Sequence, residues 1–158
     1  MTDDLAARVD DYEAATRHAL EVLGGVAPDD LDRRHPDGWS ARQVAHHLAD
    51  SETQSHTRLR RLLAEPPGSV IQGYDEAAWA RSPLLGYADL PVAEPLAVLA
   101  AVRASSLALL RRLSPEDLSR YGMHTESGRY TVDDWLRIYA AHPVEHADQA
   151  ARALRGLA

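Results

Sequence analysis

Two histidines, His142 and His146, stand four residues apart in the run Tyr139 to Gln149 (YAAHPVEHADQ). On a helix of 3.6 residues per turn that spacing stacks both rings on one face, about 6 Å apart along the axis. Two imidazoles so placed can close on one metal ion. An open metal site ordinarily keeps three protein ligands and a free position for water or substrate. The third candidate is His47, far upstream in Val44 to Asp50 (VAHHLAD). Three neutral imidazoles around a divalent ion leave room for a water whose pKa falls toward about 7, which supplies hydroxide as a nucleophile. The ion expected is zinc or nickel, ahead of iron or manganese; nitrogen ligation alone does not choose among them. The neighbouring His46 would close the site and make it structural if it supplied a fourth ligand.

Composition narrows the chemistry further. The chain has no cysteine, which excludes disulfides, thiolate ligands and cysteine nucleophiles and leaves His and carboxylate to hold any metal. All 17 basic residues are Arg, so lysine Schiff bases are excluded too. The residue after His142 is Pro143 rather than Glu, and the zinc-protease pattern His-Glu-x-x-His therefore fails. Pro143 should also remove the hydrogen bond to the Tyr139 carbonyl and kink the helix. That bend has two readings: a tolerated irregularity, or a device that aims the histidine pair.

The elements that must carry these residues read as helices. From about Asp3 to Leu23, the residues Leu5, Val9, Tyr12, Thr16, Ala19 and Leu23 recur at three- and four-residue spacing, and Gly24 and Gly25 stop the helix. A second helix starts at Ser40, whose hydroxyl can cap with Gln43 while Trp39 staples to Val44. It runs to about Ala64, before Pro66 and Pro67, with an inward stripe of Val44, His47 or Leu48, Ser51, Ser55, Leu59 and Leu62. His46 and His56 fall off that stripe. Residues 65 to 91 form a long connection with a short helix from Tyr74 to Trp79, and connections of this length in a compact domain are often functional. Pro95 opens a third long helix with Leu96, Leu99, Val102, Ser106, Leu109 and Leu113 as its apolar row. The last begins at Tyr130 to Trp135, with Thr131 as cap and Asp134 as its partner, and should bury Trp135, Tyr139, His142, His146, Gln149 and Ala153. The turns before the two histidine helices match, PDDL at Pro28 to Leu31 and PEDL at Pro115 to Leu118, which makes a weak internal repeat. Four long amphipathic helices with no strand pattern predict an all-α four-helix bundle, one domain over residues 1–158. With 6% aromatic residues and no Phe, its core should be aliphatic.

A lone histidine on an apolar stripe is ordinarily a core residue satisfied by one hydrogen bond. Three on the core stripes of two helices are harder to accommodate, because burying unpartnered imidazoles costs free energy that a shared ion would offset. Ligating imidazoles donate their second N–H to an outer acceptor, and Asp50 and Glu145, each within a turn of a ligand, are the candidates. Tyr74, Asp75, Glu76 and Trp79 could close over the mouth of the site. Arg58, at the polar edge of the His47 helix, could take an anionic substrate group.

The run Gly38 to Ser51 (GWSARQVAHHLADS), the run Tyr74 to Trp79 (YDEAAW) and the pair His142 and His146 together resemble the DinB/YfiT-like superfamily of metal-dependent bundle proteins. The resemblance covers nearly the whole chain. It implies a four-helix bundle, often dimeric, with a divalent metal held by three histidines, which map onto His47, His142 and His146. It also implies two chemistries for an open site of this kind. One is hydrolysis by metal-bound hydroxide. The other is a transferase or isomerase reaction on a metal-activated low-molecular-weight thiol such as bacillithiol or mycothiol. A third reading is a non-enzymatic, stress-linked bundle with a structural metal.

The partner expected is thus a small molecule. A net charge of −7 argues against nucleic acid. No apolar run is expected to reach the roughly 20 residues that cross a bilayer, and the acidic N-terminus (MTDDL) is unlike a signal peptide. The expected location is the cytoplasm, and a homodimer is what the resemblance implies.

Overall fold

The computed structural model describes residues 3–157. Five helices account for most of it: α1 (Asp3–Gly24), α2 (Ala41–Ala64), α3 (Glu76–Arg81), α4 (Ala93–Leu110) and α5 (Val132–Leu154). The four long ones form the bundle, with α1 against α5, α2 against α4, and α2 against α5. Those last two bear the histidines, so the site sits on one of the principal helix contacts.

α2 and α5 start in the same way. Each follows a short 3₁₀ turn, Pro28–Asp30 before α2 and Pro115–Ser119 before α5. Each then opens with a reciprocal capping box, Ser40 with Gln43 and Thr131 with Asp134. Two of the four backbone N–H groups that a helix start leaves unpaired are thereby satisfied, which fixes where each helix begins and which face turns inward. The repeated turn-and-cap pattern is thus a repeat in three dimensions.

Three short strands depart from the strandless expectation: β1 (Val70–Ile71), β2 (Tyr121–His124) and β3 (Gly128–Thr131). β2 pairs antiparallel with β3, and β1 parallel with β2. At two to four residues they are too short to show the alternation by which a strand is recognised. Gly128, at φ 78°, supplies the left-handed residue of the hairpin. The sheet ties the long connection after α2 to the start of α5.

α4 departs in part from the expected row. The expected row holds at Leu99, Ser106 and Leu113, while Leu96, Val102 and Leu109 are only half-buried and Pro95, Arg103 and Leu110 are buried as well. Most α4 positions are apolar, so the pattern carries no clear phase, and the expected row leaves out Arg103. Arg103 is in fact only 1% exposed. It reaches three other helices. Its Nε donates to Thr16 Oγ1 at 2.6 Å, Nη2 to the Tyr12 carbonyl at 2.9 Å, and Nη1 to Glu52 Oε1 at 2.7 Å and the Tyr139 carbonyl at 3.1 Å. The guanidinium also lies 3.7 Å from the centre of the Tyr12 ring, a cation–π contact. α4 differs from expectation in a second respect: its 18 residues are long and apolar enough, by length and composition, to cross a membrane. It packs here on α2 and α1 as a bundle helix.

Candidate metal centre

His47 projects from the second turn of α2 and is fully buried. His142 and His146 come from successive turns of α5 and are half-buried. The three rings converge, with centroids 5.4 Å apart for His47 and His142, 4.5 Å for His47 and His146, and 4.5 Å for His142 and His146. One nitrogen from each lies within 4.8 Å of the others, so a small side-chain adjustment brings all three onto one ion.

Neither ring nitrogen of His47 has a hydrogen-bond partner, and His142 Nδ1 has none either. A buried polar atom left unpaired costs about 1–3 kcal/mol, and native interiors seldom leave several together. Burial, reinforced by His146 and His142, holds the His47 pKa down at about 3. Burial and then His142 hold His146 down at about 4, against the opposing hydrogen bond that it makes to Gln149. Both rings are therefore neutral at neutral pH, with lone pairs free. Unpaired, neutral, convergent nitrogens without a carboxylate or thiolate among them are a donor set that fits zinc-like divalent ions.

His146 Nδ1 lies 2.8 Å from Gln149 Oε1. That oxygen can only accept, so the proton sits on Nδ1 and the lone pair on Nε2. The outer acceptor of His146 is thus Gln149, which the sequence placed on the buried stripe without giving it this role. The two expected acceptors lie elsewhere. Asp50 accepts from the Tyr87 hydroxyl at 2.7 Å, and Glu145 is exposed on the outer face of α5. Near His142 the carboxylate is Glu52, with Oε1 3.9 Å from Nδ1. His46 turns toward the Leu90 carbonyl, 3.3 Å from Nε2, and stacks on Tyr87. It stands apart from the triad.

Trp39 forms a wall that the sequence showed only as a helix staple. Its ring meets His47 edge-on at 4.9 Å and stacks on His146 at 6.3 Å. On the other side a cavity of about 190 Å³ reaches His142, lined also by Ser51, Arg58, Glu76, His124 and Tyr139. Arg58 is held there by neutral partners, donating from Nη1 to the Tyr139 hydroxyl at 3.0 Å and from Nη2 to the Gln72 carbonyl at 3.0 Å. The Tyr74 hydroxyl is buried beside Ser51, and burial raises its pKa. Trp79 packs on the Tyr74 ring at 4.6 Å. Of the four residues expected at the mouth, Glu76 lines the cavity and Tyr74 and Trp79 stand together, while Asp75 caps α3 through the Ala78 N–H. A larger groove of about 550 Å³ runs between α1 and α5 past Asp11, His18 and Val144, and includes none of the triad. Size alone does not mark the site.

The sequence profile of the DinB superfamily matches residues 11–150. The chain belongs to the DinB superfamily. Among its DinB relatives is a protein of Oceanobacillus iheyensis, 40% identical over 109 residues that cover 69% of this chain and 61% of the relative's length. Another is YfiT of Bacillus subtilis, 32% identical over 143 residues, 87% of this chain and 75% of that one. Both carry the name "Putative metal-dependent hydrolase". The solved structure of YfiT, described as "a probable metal-dependent hydrolase with an unusual four-helix bundle topology", superposes with a TM-score of 0.86 at 26% identity, covering 100% of this chain and 91% of the other. The DinB bundle expected from the sequence is therefore the fold observed.

Proposed function

We propose that this protein is a divalent-metal-dependent hydrolase in which His47, His142 and His146 hold the ion. The observation that carries the reading is the convergence of three imidazoles around a fully buried His47, neither of whose ring nitrogens has a partner in the protein. A zinc-like ion in such a site supplies Lewis acidity and brings the pKa of a coordinated water toward about 7. The rest of the work belongs to side chains. Gln149 fixes the His146 tautomer so that Nε2 faces the cluster. Trp39 covers the His47 and His146 rings and keeps bulk water from that side. Arg58 presents its positive charge to the cavity beside His142 and would orient an anionic group of the substrate. Tyr74 stays protonated and serves as a hydrogen-bond donor rather than a base. A cavity of this volume suits a small molecule.

The deciding experiment is metal analysis of untagged protein, with about one zinc or nickel per chain expected, followed by ester, amide and lactone substrates with and without low-molecular-weight thiols. Protein free of metal after purification, and unable to take it up, would overturn the reading. Turnover that requires a thiol would move the assignment to a thiol transferase. We place the protein in the cytoplasm as a homodimer. The dimer has support in the outward face of α4, where Ala97, Val98, Ala101, Ala104 and Ala108 are exposed without an intervening charge. Sedimentation at micromolar concentration, with a single monomer boundary as the adverse result, tests it.

A further inference from the structure

The Arg103–Glu52 ion pair lies immediately behind the histidine cluster, and the proposed site explains why it is there. Both side chains are 1% exposed. A buried ion pair is seldom the most stable filling for its volume, since well-packed apolar residues often do as well or better. Its position supplies another reason. Glu52 Oε1 accepts from Arg103 Nη1 at 2.7 Å and lies 3.9 Å from His142 Nδ1. The same Nη1 donates to the Tyr139 carbonyl at 3.1 Å. That carbonyl is free because Pro143, four residues on, has no N–H to offer it. One guanidinium nitrogen therefore ties the carboxylate to the turn of α5 that carries His142. Pro143 is the residue of α5 that makes the tie available, and the arrangement favours its reading as a device over an accident.

We propose that Glu52, fixed by Arg103 through the carbonyl that Pro143 leaves free, is a positioning residue that holds the proton of His142 on Nδ1 and turns its Nε2 lone pair to the metal. The inference rests on the three-histidine reading above. It adds an outer carboxylate for His142 to match the Gln149 amide that serves His146. Arg103 and His142 address the same oxygen, Glu52 Oε1, and a carboxylate oxygen has lone pairs for both; Thr16 and Tyr12 hold the guanidinium in place.

The test compares wild type with two variants that leave no acceptor at position 52, Glu52→Leu and the pair Glu52→Leu/Arg103→Met. The single variant leaves a buried cation uncompensated and can fail to fold; the double removes both charges and keeps the test open. Two quantities are read: zinc affinity by competition with a chromophoric chelator, and the His142 ring tautomer from ¹⁵N shifts in metal-free protein. Wild type should show a proton on His142 Nδ1, and the double variant a mixed tautomer with about 10- to 100-fold weaker zinc binding. An unprotonated Nδ1 in wild type overturns the proposal, as does zinc affinity within twofold of wild type in the folded double variant. Wild type that binds no metal refutes the hydrolase reading instead, and the tautomer then decides this inference by itself.

Discussion

Arg103 and His47 are both buried in the same bundle, and they meet burial in opposite ways. Arg103 spends its donors on Thr16, Glu52 and the carbonyls of Tyr12 and Tyr139, so that a charge inside the core joins α4 to α1, α2 and α5. His47 has neither nitrogen engaged, although it is no less buried. Unsatisfied polar atoms destabilise a core and satisfied networks make it rigid. The contrast separates a group that holds the fold from one that the fold holds ready for something else. Glu52 touches both, paired with Arg103 and 3.9 Å from His142.

The largest test of that contrast is His47→Leu. Metal uptake should vanish, while the metal-free protein keeps its stability or gains up to about 1–3 kcal/mol from losing two unpaired nitrogens. Chelator competition and urea unfolding of the stripped protein read the two effects. A variant that still binds one ion per chain would show that His47 is not a ligand. At Arg103 the sign reverses. Arg103→Met alone should destabilise the protein by about 3–5 kcal/mol, because Glu52 is left as an uncompensated buried charge. A loss below about 1 kcal/mol would mean that water reaches Glu52 and that the pair is not the anchor described here.

Much of this was legible in the sequence, and the exceptions share a cause. Capping at Ser40 and Thr131, the histidine spacing and the bundle followed from local chemistry that the chain states outright. The Arg103–Glu52 pair did not, although both residues sit at core spacing: Leu48, Glu52, Ser55 and Leu59 on α2, and Leu99, Arg103, Ser106 and Leu110 on α4. A charged residue on a core stripe reads as a phase error until its partner is known, and the partner is 51 residues away. The outer acceptors failed for a related reason. Asp50 and Glu145 are carboxylates near the ligands in sequence, but Asp50 belongs to Tyr87 and Glu145 to solvent. Helical spacing did contain the answer at Gln149, three residues after His146, where an amide does what a carboxylate was expected to do.

Acid should expose the same contrast. A free histidine titrates near 6.5, whereas in the folded metal-free chain burial holds His47 at about 3 and His146 at about 4. Between those values the unfolded chain binds more protons, so stability rises with pH. The contribution is complete above about pH 6.5 and is lost as pH falls from there toward 4. Urea midpoints of stripped protein from pH 7.5 to 4.5 should decline, and His47→Leu should decline less steeply. Parallel slopes would mean that His47 is already protonated or is solvated in the metal-free state.

The smallest effects on stability are expected at the caps that begin α2 and α5. Ser40→Ala and Thr131→Ala each remove a side-chain acceptor from a capping box, which costs about 1 kcal/mol. The two boxes share no partner, so the double variant should lose the sum within about 0.5 kcal/mol. Zinc affinity should stay within twofold in Thr131→Ala, whose cap lies about three turns before His142, whereas Ser40 adjoins Trp39, which packs on His47 and His146. Thr131→Ala is the control that gives the Glu52 result its meaning. If weakening the start of α5 loosened the metal as much as removing Glu52 did, affinity would be following the stability of the whole bundle. A Thr131→Ala variant that loses stability but keeps its zinc would leave the carboxylate behind His142 as the local cause.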